Sequence, residues 1–215
     1  MVSKTDIESR QFHEIQPLEF HELDELTGLP NRSELNPTLD RFIDKYPGEF
    51  SLLYIDLDDL KVKNDTEGGH EAGDKYLKAA ADVLKDNLRS DSKDREPDLL
   101  FAGRPYRVGG DEFIAILSGA GTTTEQNLEI IMKRLDEALS EAGVSASMAA
   151  VPHKKNDSKE KLIQSADKLM YKNKEGKKQA RYQHELIHKP LRKVMAHVIG
   201  QTLLDYSGIK KPGSR

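Results

Sequence analysis

The chain has 215 residues, enough for one domain with appendages and a real hydrophobic core. Its 36% hydrophobic and 33% charged content and its net charge of -4 give no general reason to expect nucleic-acid binding. The absence of cysteine excludes disulfides and thiolate metal sites; with no apolar run near membrane-span length and no secretory leader, a cytoplasmic protein without membrane insertion is expected.

Residues 1–22 are polar and mixed, with Phe12, Ile15, Leu18 and Phe20 interrupted by Pro17, and read as an N-terminal arm. Asp24-Glu25-Leu26-Thr27-Gly28-Leu29-Pro30-Asn31-Arg32 carries turn chemistry. Asn31 can cap a helix running to about Tyr46, with Leu35, Leu39, Phe42 and Ile43 at helical spacing and Pro37 in the early turns, where proline is best tolerated. The turn before it can offer backbone N–H groups to phosphate, or serve only as a cap. Phe50-Ser51-Leu52-Leu53-Tyr54-Ile55-Asp56 reads as a buried strand that ends in an acid, and a strand end holds a metal-ligating carboxylate rigidly. Asp58 and Asp59 are expected to be structural or solvated and to stand apart from Asp56.

Asn64 to Asp74 reads as a loop opening a helix to about Leu88, with Leu77, Ala80, Leu84 and Leu88 on one face. The amide of Asn64 and the carboxylate of Asp74 suit the edge of a purine base. Taken alone, both residue types are commoner as helix caps. Residues 89–98 form a charged loop. Apolar runs then flank Arg107-Val108-Gly109-Gly110-Asp111-Glu112-Phe113, which predicts a hairpin with the glycine pair at its turn. Glycine there permits positive φ and leaves the backbone open to a ligand. Adjacent acids on a rigid turn suit a hard cation such as Mg²⁺, although a plain solvated hairpin has the same appearance.

Thr123 and Gln126 resemble a capping box before a helix bearing Leu128, Ile131, Leu135 and Leu139, which stops at Gly143. Val144 to Val151 reads as another strand. Asp157 with Glu160 is expected to cap the next helix, whose apolar face is Leu162, Ile163, Ala166, Leu169 and Met170 and whose end carries Lys172, Lys174, Lys177 and Lys178. From Pro190 a further helical stripe of Leu191, Val194 and Val198 begins, suited to docking on the domain or on another chain.

In this order the motifs resemble the GGDEF family, the diguanylate cyclases. The likeness rests on the Asp24–Arg32 segment, Asp56-Leu57-Asp58 through Lys61 to Asn64-Asp65, Gly73-Asp74, Arg107 to Phe113, and Ala166-Asp167 through Tyr171 to Lys174. It implies an α/β (α+β, palm-like) domain over residues 23–178. A central mixed, largely antiparallel sheet of about five strands would be flanked by helices, with a C-terminal helical tail over 179–215. It also implies condensation of two GTP into cyclic di-GMP with release of pyrophosphate. On this likeness Asp56, the Leu57 carbonyl and Asp111 hold Mg²⁺, with Mn²⁺ as a substitute. Asp111, Lys61 and Glu112 are the catalytic residues, Asp111 taking the proton of the attacking hydroxyl. Asn64, His70 and Asp74 meet guanine, and Lys174 with Lys177 or Lys178 reaches the terminal phosphates. One site binds one nucleotide and the reaction joins two, so a homodimer is required.

The sequence departs from the family pattern in four places. Gly68-Gly69-His70 is one residue longer than usual, and the spacing after Lys174 is one shorter. Ala149 stands where glycine is common. The family's product-inhibition pair, an Arg-x-x-Asp, should fall at Leu100 and Gly103, and Arg95-Glu96-Pro97-Asp98 lies too far upstream, so ordinary product inhibition is not expected. The alternative reading is a catalytically weak or inactive GGDEF domain acting as a nucleotide-binding or interaction module.

Overall fold

A strand that is apolar at nearly every position needs cover on both faces. Strand β1 (Phe50–Leu57) is buried along its whole length and lies inside the sheet. In the computed structural model, which describes residues 22–88, 101–119 and 121–207 (without the side chains of 101–102 and 185–207), helix α1 (Arg32–Lys45) precedes it. Helices α2 (Leu60–Thr66) and α3 (His70–Leu88) follow. Next come β2 (Phe101–Arg107), β3 (Glu112–Gly119), α4 (Glu125–Glu141), β4 (Ala146–Pro152) and α5 (Lys159–Ser207). The described strands form one four-stranded sheet in the order β2-β3-β1-β4, with every pairing antiparallel. The α/β class with a largely antiparallel sheet is as expected; the described sheet has four strands where about five were expected, and none of its pairings is parallel.

Alternation along β1 sorts the core into two halves. Phe50, Leu52 and Tyr54 pack with Leu35, Leu39 and Phe42 of α1 and with Leu162, Ala166 and Met170 of α5. Leu53, Ile55 and Leu57 pack with Leu77, Ala80 and Leu84 of α3 and with Leu128, Ile131 and Leu135 of α4. Strand β2 is at the edge of the sheet, which is where Pro105 can sit without costing a ladder hydrogen bond inside it.

Several local expectations change. Asn64 belongs to a short helix of its own, and residues 67–69 turn the chain into α3. Gly68 and Gly69, at φ 122° and 75°, absorb that turn, and a side chain at either would be strained. The start of α4 is marked by Thr124, which makes no side-chain cap bond, so the Thr123–Gln126 capping box is not formed. At the start of α5 the Ser158 hydroxyl accepts from the Lys161 N–H, while Asp157 pairs with the Lys161 ammonium instead of capping. Helix α5 runs unbroken through Gly176 and Pro190, where two separate helical segments were expected. Residues up to Asn173 form one compact unit and Lys174 begins a second. The arm at 1–21 and the charged loop at 89–98 lie outside the described residues.

Leu53 is fully buried in the centre of β1. Leu53→Ala should destabilise the fold by about 2–5 kcal/mol, the usual cost of emptying a well-packed leucine site. Urea unfolding followed by circular dichroism measures it, and a loss below about 1 kcal/mol contradicts the two-sided core.

Candidate active site

The site is assembled where β1 ends beside the hairpin. Asp56 is opposite Glu112 in the antiparallel register. The Leu57 N–H donates to the Asp111 carbonyl at 3.0 Å, so the backbone carrying the strand-end acid lies directly against the backbone carrying the hairpin acid. The expectation that Asp56, Leu57 and Asp111 share an ion concerns side chains and a carbonyl carried on these adjoining backbones. The donors it assembles are oxygens, which suits Mg²⁺ or Mn²⁺. Among the described residues no ready-made cluster of three or more His, Asp or Glu side chains for a metal is found. A cation here would rely on the two carboxylates, a main-chain carbonyl and oxygens of its own substrate.

The glycine pair works differently from expectation. Neither Gly109 nor Gly110 has positive φ. Gly109 is needed for space: a Cβ there would stand 2.4 Å from Glu112 Oε2. Gly110 has open space around it, which leaves the tip accessible. The other carboxylate oxygen of Glu112, Oε1, accepts a hydrogen bond from the Tyr54 hydroxyl at 2.9 Å. Burial first, and then the bond to Glu112, push the Tyr54 hydroxyl well above the usual tyrosine range, so it stays a donor.

Arg107 braces the hairpin from below. Its guanidinium grips both oxygens of Asp24, at 2.9 and 3.1 Å, and donates to the Gly110 carbonyl at 2.8 Å. Asp24 also accepts from the Thr27 N–H and hydroxyl, and the Arg107 N–H donates to the Pro30 carbonyl. The Asp24–Arg32 segment is therefore a strut under the glycine turn, and Asn31 caps α1 by accepting from Ser33 N–H. Burial raises the Asp24 carboxyl, but the bonds from Thr27 and Arg107 outweigh it and hold it below the ordinary range.

Asp58 is buried, with its two carboxylate oxygens accepting from Ser145 and Ser147 hydroxyls at 2.8 Å each. The Tyr76 hydroxyl lies 3.0 Å from the Asp58 carbonyl and accepts from the Ser145 N–H at 2.7 Å. Asp58 thus has a structural part, fixing the turn that leads from β1 into α2. Asp59 is exposed and takes φ 63°, the one positive φ of a non-glycine among the described residues.

Lys61 is exposed near the start of α2. Asn64 lies across the start of α3: a Cβ on Gly73 would stand 2.1 Å from its Oδ1. That Oδ1 is buried and finds no hydrogen-bond partner among the described residues. His70 begins α3, and His70 and Asp74 are exposed on that helix. Asn64 thus packs against Gly73, the residue that precedes Asp74 in the chain. Lys174 and Lys178 lie in the second compact unit, Lys178 paired with Glu175 at 3.0 Å. Sequence reasoning missed Tyr54, Ser145, Ser147, Tyr76 and the Asp24–Arg107 pair. Only the last had a signal, in the acid and the arginine that open two of the matched motifs.

A family model described as the GGDEF domain of diguanylate cyclases matches residues 21–180. The chain is similar to the diguanylate cyclase DgcS of Shewanella oneidensis, at 31% identity over 70% of this chain and 49% of that protein. It thus spans about half the length of that relative. Among solved structures it is similar to the Pseudomonas aeruginosa diguanylate cyclase SiaD in complex with its activator SiaC. The TM-score is 0.62 and the identity 25%, over 74% of this chain and 60% of that one. It shares the fold of the GGDEF domain of DgcB from Caulobacter crescentus, solved in complex with c-di-GMP. There the TM-score is 0.60 and the identity 22%, over 75% of this chain and 94% of that one.

The Asp24–Arg107 pair generates a pH-dependent prediction. Asp24 is held below its ordinary range in the folded state, so its stabilisation is complete above the unfolded carboxyl pKa and is lost as pH falls through the lower folded value. Arg107→Ala should lower stability by about 1–3 kcal/mol at neutral pH, the scale of losing hydrogen bonds to a charged group. It should also flatten the stability profile on the acid side, below about pH 4. Thermal unfolding of both proteins across pH 2–7 measures this; parallel profiles overturn the brace.

Proposed function

This chain belongs to the GGDEF family of diguanylate cyclase domains, and we propose that it condenses two GTP into cyclic di-GMP, releasing pyrophosphate, in a Mg²⁺-dependent reaction between two copies. The observation that carries the reading is the apposition of Asp56 and Asp111 at the open end of the sheet, beside an accessible glycine tip. Residues 23–178 are the catalytic domain in this reading and 179–215 its helical tail.

Asp56, the Leu57 carbonyl and Asp111 would hold the divalent ion, Mg²⁺ or Mn²⁺. When bound, the ion neutralises phosphate oxygens and favours ionisation of the attacking hydroxyl. The Asp111 carboxylate receives the proton of the 3′-hydroxyl as that oxygen closes on the α-phosphorus of the other GTP. The bond from that phosphorus to the bridging oxygen breaks, and pyrophosphate leaves. Lys61 balances the growing charge on the leaving phosphates. A second such step in the opposite sense closes the ring, which is why two copies must face each other.

Guanine is read at α2 and α3. The exposed Asp74 carboxylate accepts from guanine N1–H and its exocyclic amine, and adenine offers no N1–H to it. The unpartnered Oδ1 of Asn64 supports a polar ligand at this place, and His70 lies at the rim. Product feedback of the usual kind has no foothold at residue 103. Gly103 is buried, and a Cβ there would stand 2.8 Å from Leu88 Cβ.

Incubation with Mg²⁺ and GTP, followed by chromatography of the nucleotides, should yield cyclic di-GMP, and ATP should yield no cyclic product. Asp111→Ala should cut the rate by about 10²–10³-fold, the scale of losing one charge-stabilising group, while leaving the circular dichroism spectrum unchanged. Near wild-type turnover in that variant refutes the assignment of Asp111. Specific activity should also rise with protein concentration through the dimerisation range. A constant specific activity in a species shown by light scattering to be monomeric contradicts the two-copy requirement.

A further inference from the structure

We infer that Tyr54 is a positioning residue for this reaction: its hydroxyl pins Glu112 in one place and so keeps the ion-binding oxygens to those of Asp56, Leu57 and Asp111. The inference rests on the reading above. Tyr54 is buried in the core half shared by β1, α1 and α5, where its ring fills space beside Leu35 and Ile114. A phenylalanine would fill that space equally. The hydroxyl is what needs explaining, and it reaches the carboxylate of Glu112 at 2.9 Å.

Tyr54 is paired with Ile114 across β1 and β3, and Glu112 is two residues back along β3, so the two side chains are diagonal neighbours on one face. Asp56 is directly opposite Glu112 on that same face, and Asp111 precedes Glu112 in the chain. Glu112 is therefore the neighbour along the backbone of both acids proposed to hold the ion. A glutamate free to turn toward them would compete for the cation or repel them. Two contacts prevent both outcomes. Tyr54 holds Oε1, and Oε2 lies over the bare backbone of Gly109, where a Cβ would be 2.4 Å away. The Glu112 carbonyl meanwhile accepts from the N–H groups of Val108 and Gly109, so the residue that Tyr54 pins also closes the hairpin turn.

The test uses the full chain and 3′-deoxy-GTP, which lacks the attacking hydroxyl, with binding measured by calorimetry across a Mg²⁺ series. Tyr54→Phe should need at least about fivefold more Mg²⁺ for half-maximal binding, with analogue affinity at saturating Mg²⁺ within twofold of wild type. Adding Tyr54→Phe to Glu112→Ala should shift the Mg²⁺ midpoint less than twofold further, because the tyrosine acts through the glutamate. Gly109→Ala, which crowds Glu112 from the other side, should reproduce the Tyr54→Phe shift. A Tyr54→Phe midpoint equal to wild type, or an undiminished shift in the Glu112→Ala background, overturns the inference and leaves the cyclase reading standing. Failure of the wild-type chain to bind the analogue at any Mg²⁺ concentration overturns both.

Discussion

A carboxylate at the end of a strand buried on both faces is the constraint around which this molecule is built. Asp56 is among the buried polar residues, at the mouth of a core made by four helices and a sheet. Burying a charge is costly unless opposite charge or hydrogen bonds compensate it. The antiparallel pairing of β1 with β3 sets Glu112 opposite Asp56 and lays the Asp111 backbone against Leu57. In the proposed reading Asp56 and Asp111 are a seat for a cation, whose charge would offset theirs.

In the proposed reading, the surrounding contacts hold such a seat still before an ion arrives. Asp58 closes the turn after β1 through Ser145 and Ser147, and Tyr76 adds bonds to the same turn from α3. Arg107 ties the hairpin to the Asp24 turn, which is also bonded to Lys85 of α3 through the Thr27 carbonyl. Each supporting contact comes from a different segment of the chain. That geometry suits phosphoryl transfer, where positioning and charge neutralisation dominate and little covalent chemistry falls to the protein.

Much of this was legible from residue order. The buried strand, the hairpin and the apolar faces of α1, α3 and α4 follow from periodicity, whereas Asp56, Asp111, Asn64 and Asp74 were singled out as a set by the resemblance to the GGDEF family. What was illegible depends on tertiary contacts or on short-range choices among similar polar residues. Ser158 rather than Asp157 caps α5, and Gly109 serves clearance rather than positive φ. In sequence Asp58 can be structural or solvated, and only the two serines 87 and 89 residues away that bond it decide for the structural part. Side chains on a strand alternate, so Asp56 and Asp58 start from the same face, and what separates their parts is the pair of serines.

Tyr54 shows the same limit more sharply. In sequence it is one more apolar residue in a buried run, and any aromatic would satisfy the pattern. Only the register of β1 against β3 turns its hydroxyl into a contact with an acid 58 residues later. A one-residue slip of that register would send Tyr54 to the opposite core half and break the apposition of Asp56 with the hairpin at the same time. The hydrophobic alternation that fixes the register is therefore also what fixes the site. Stability and chemistry in this corner are set by the same pairing of two strands.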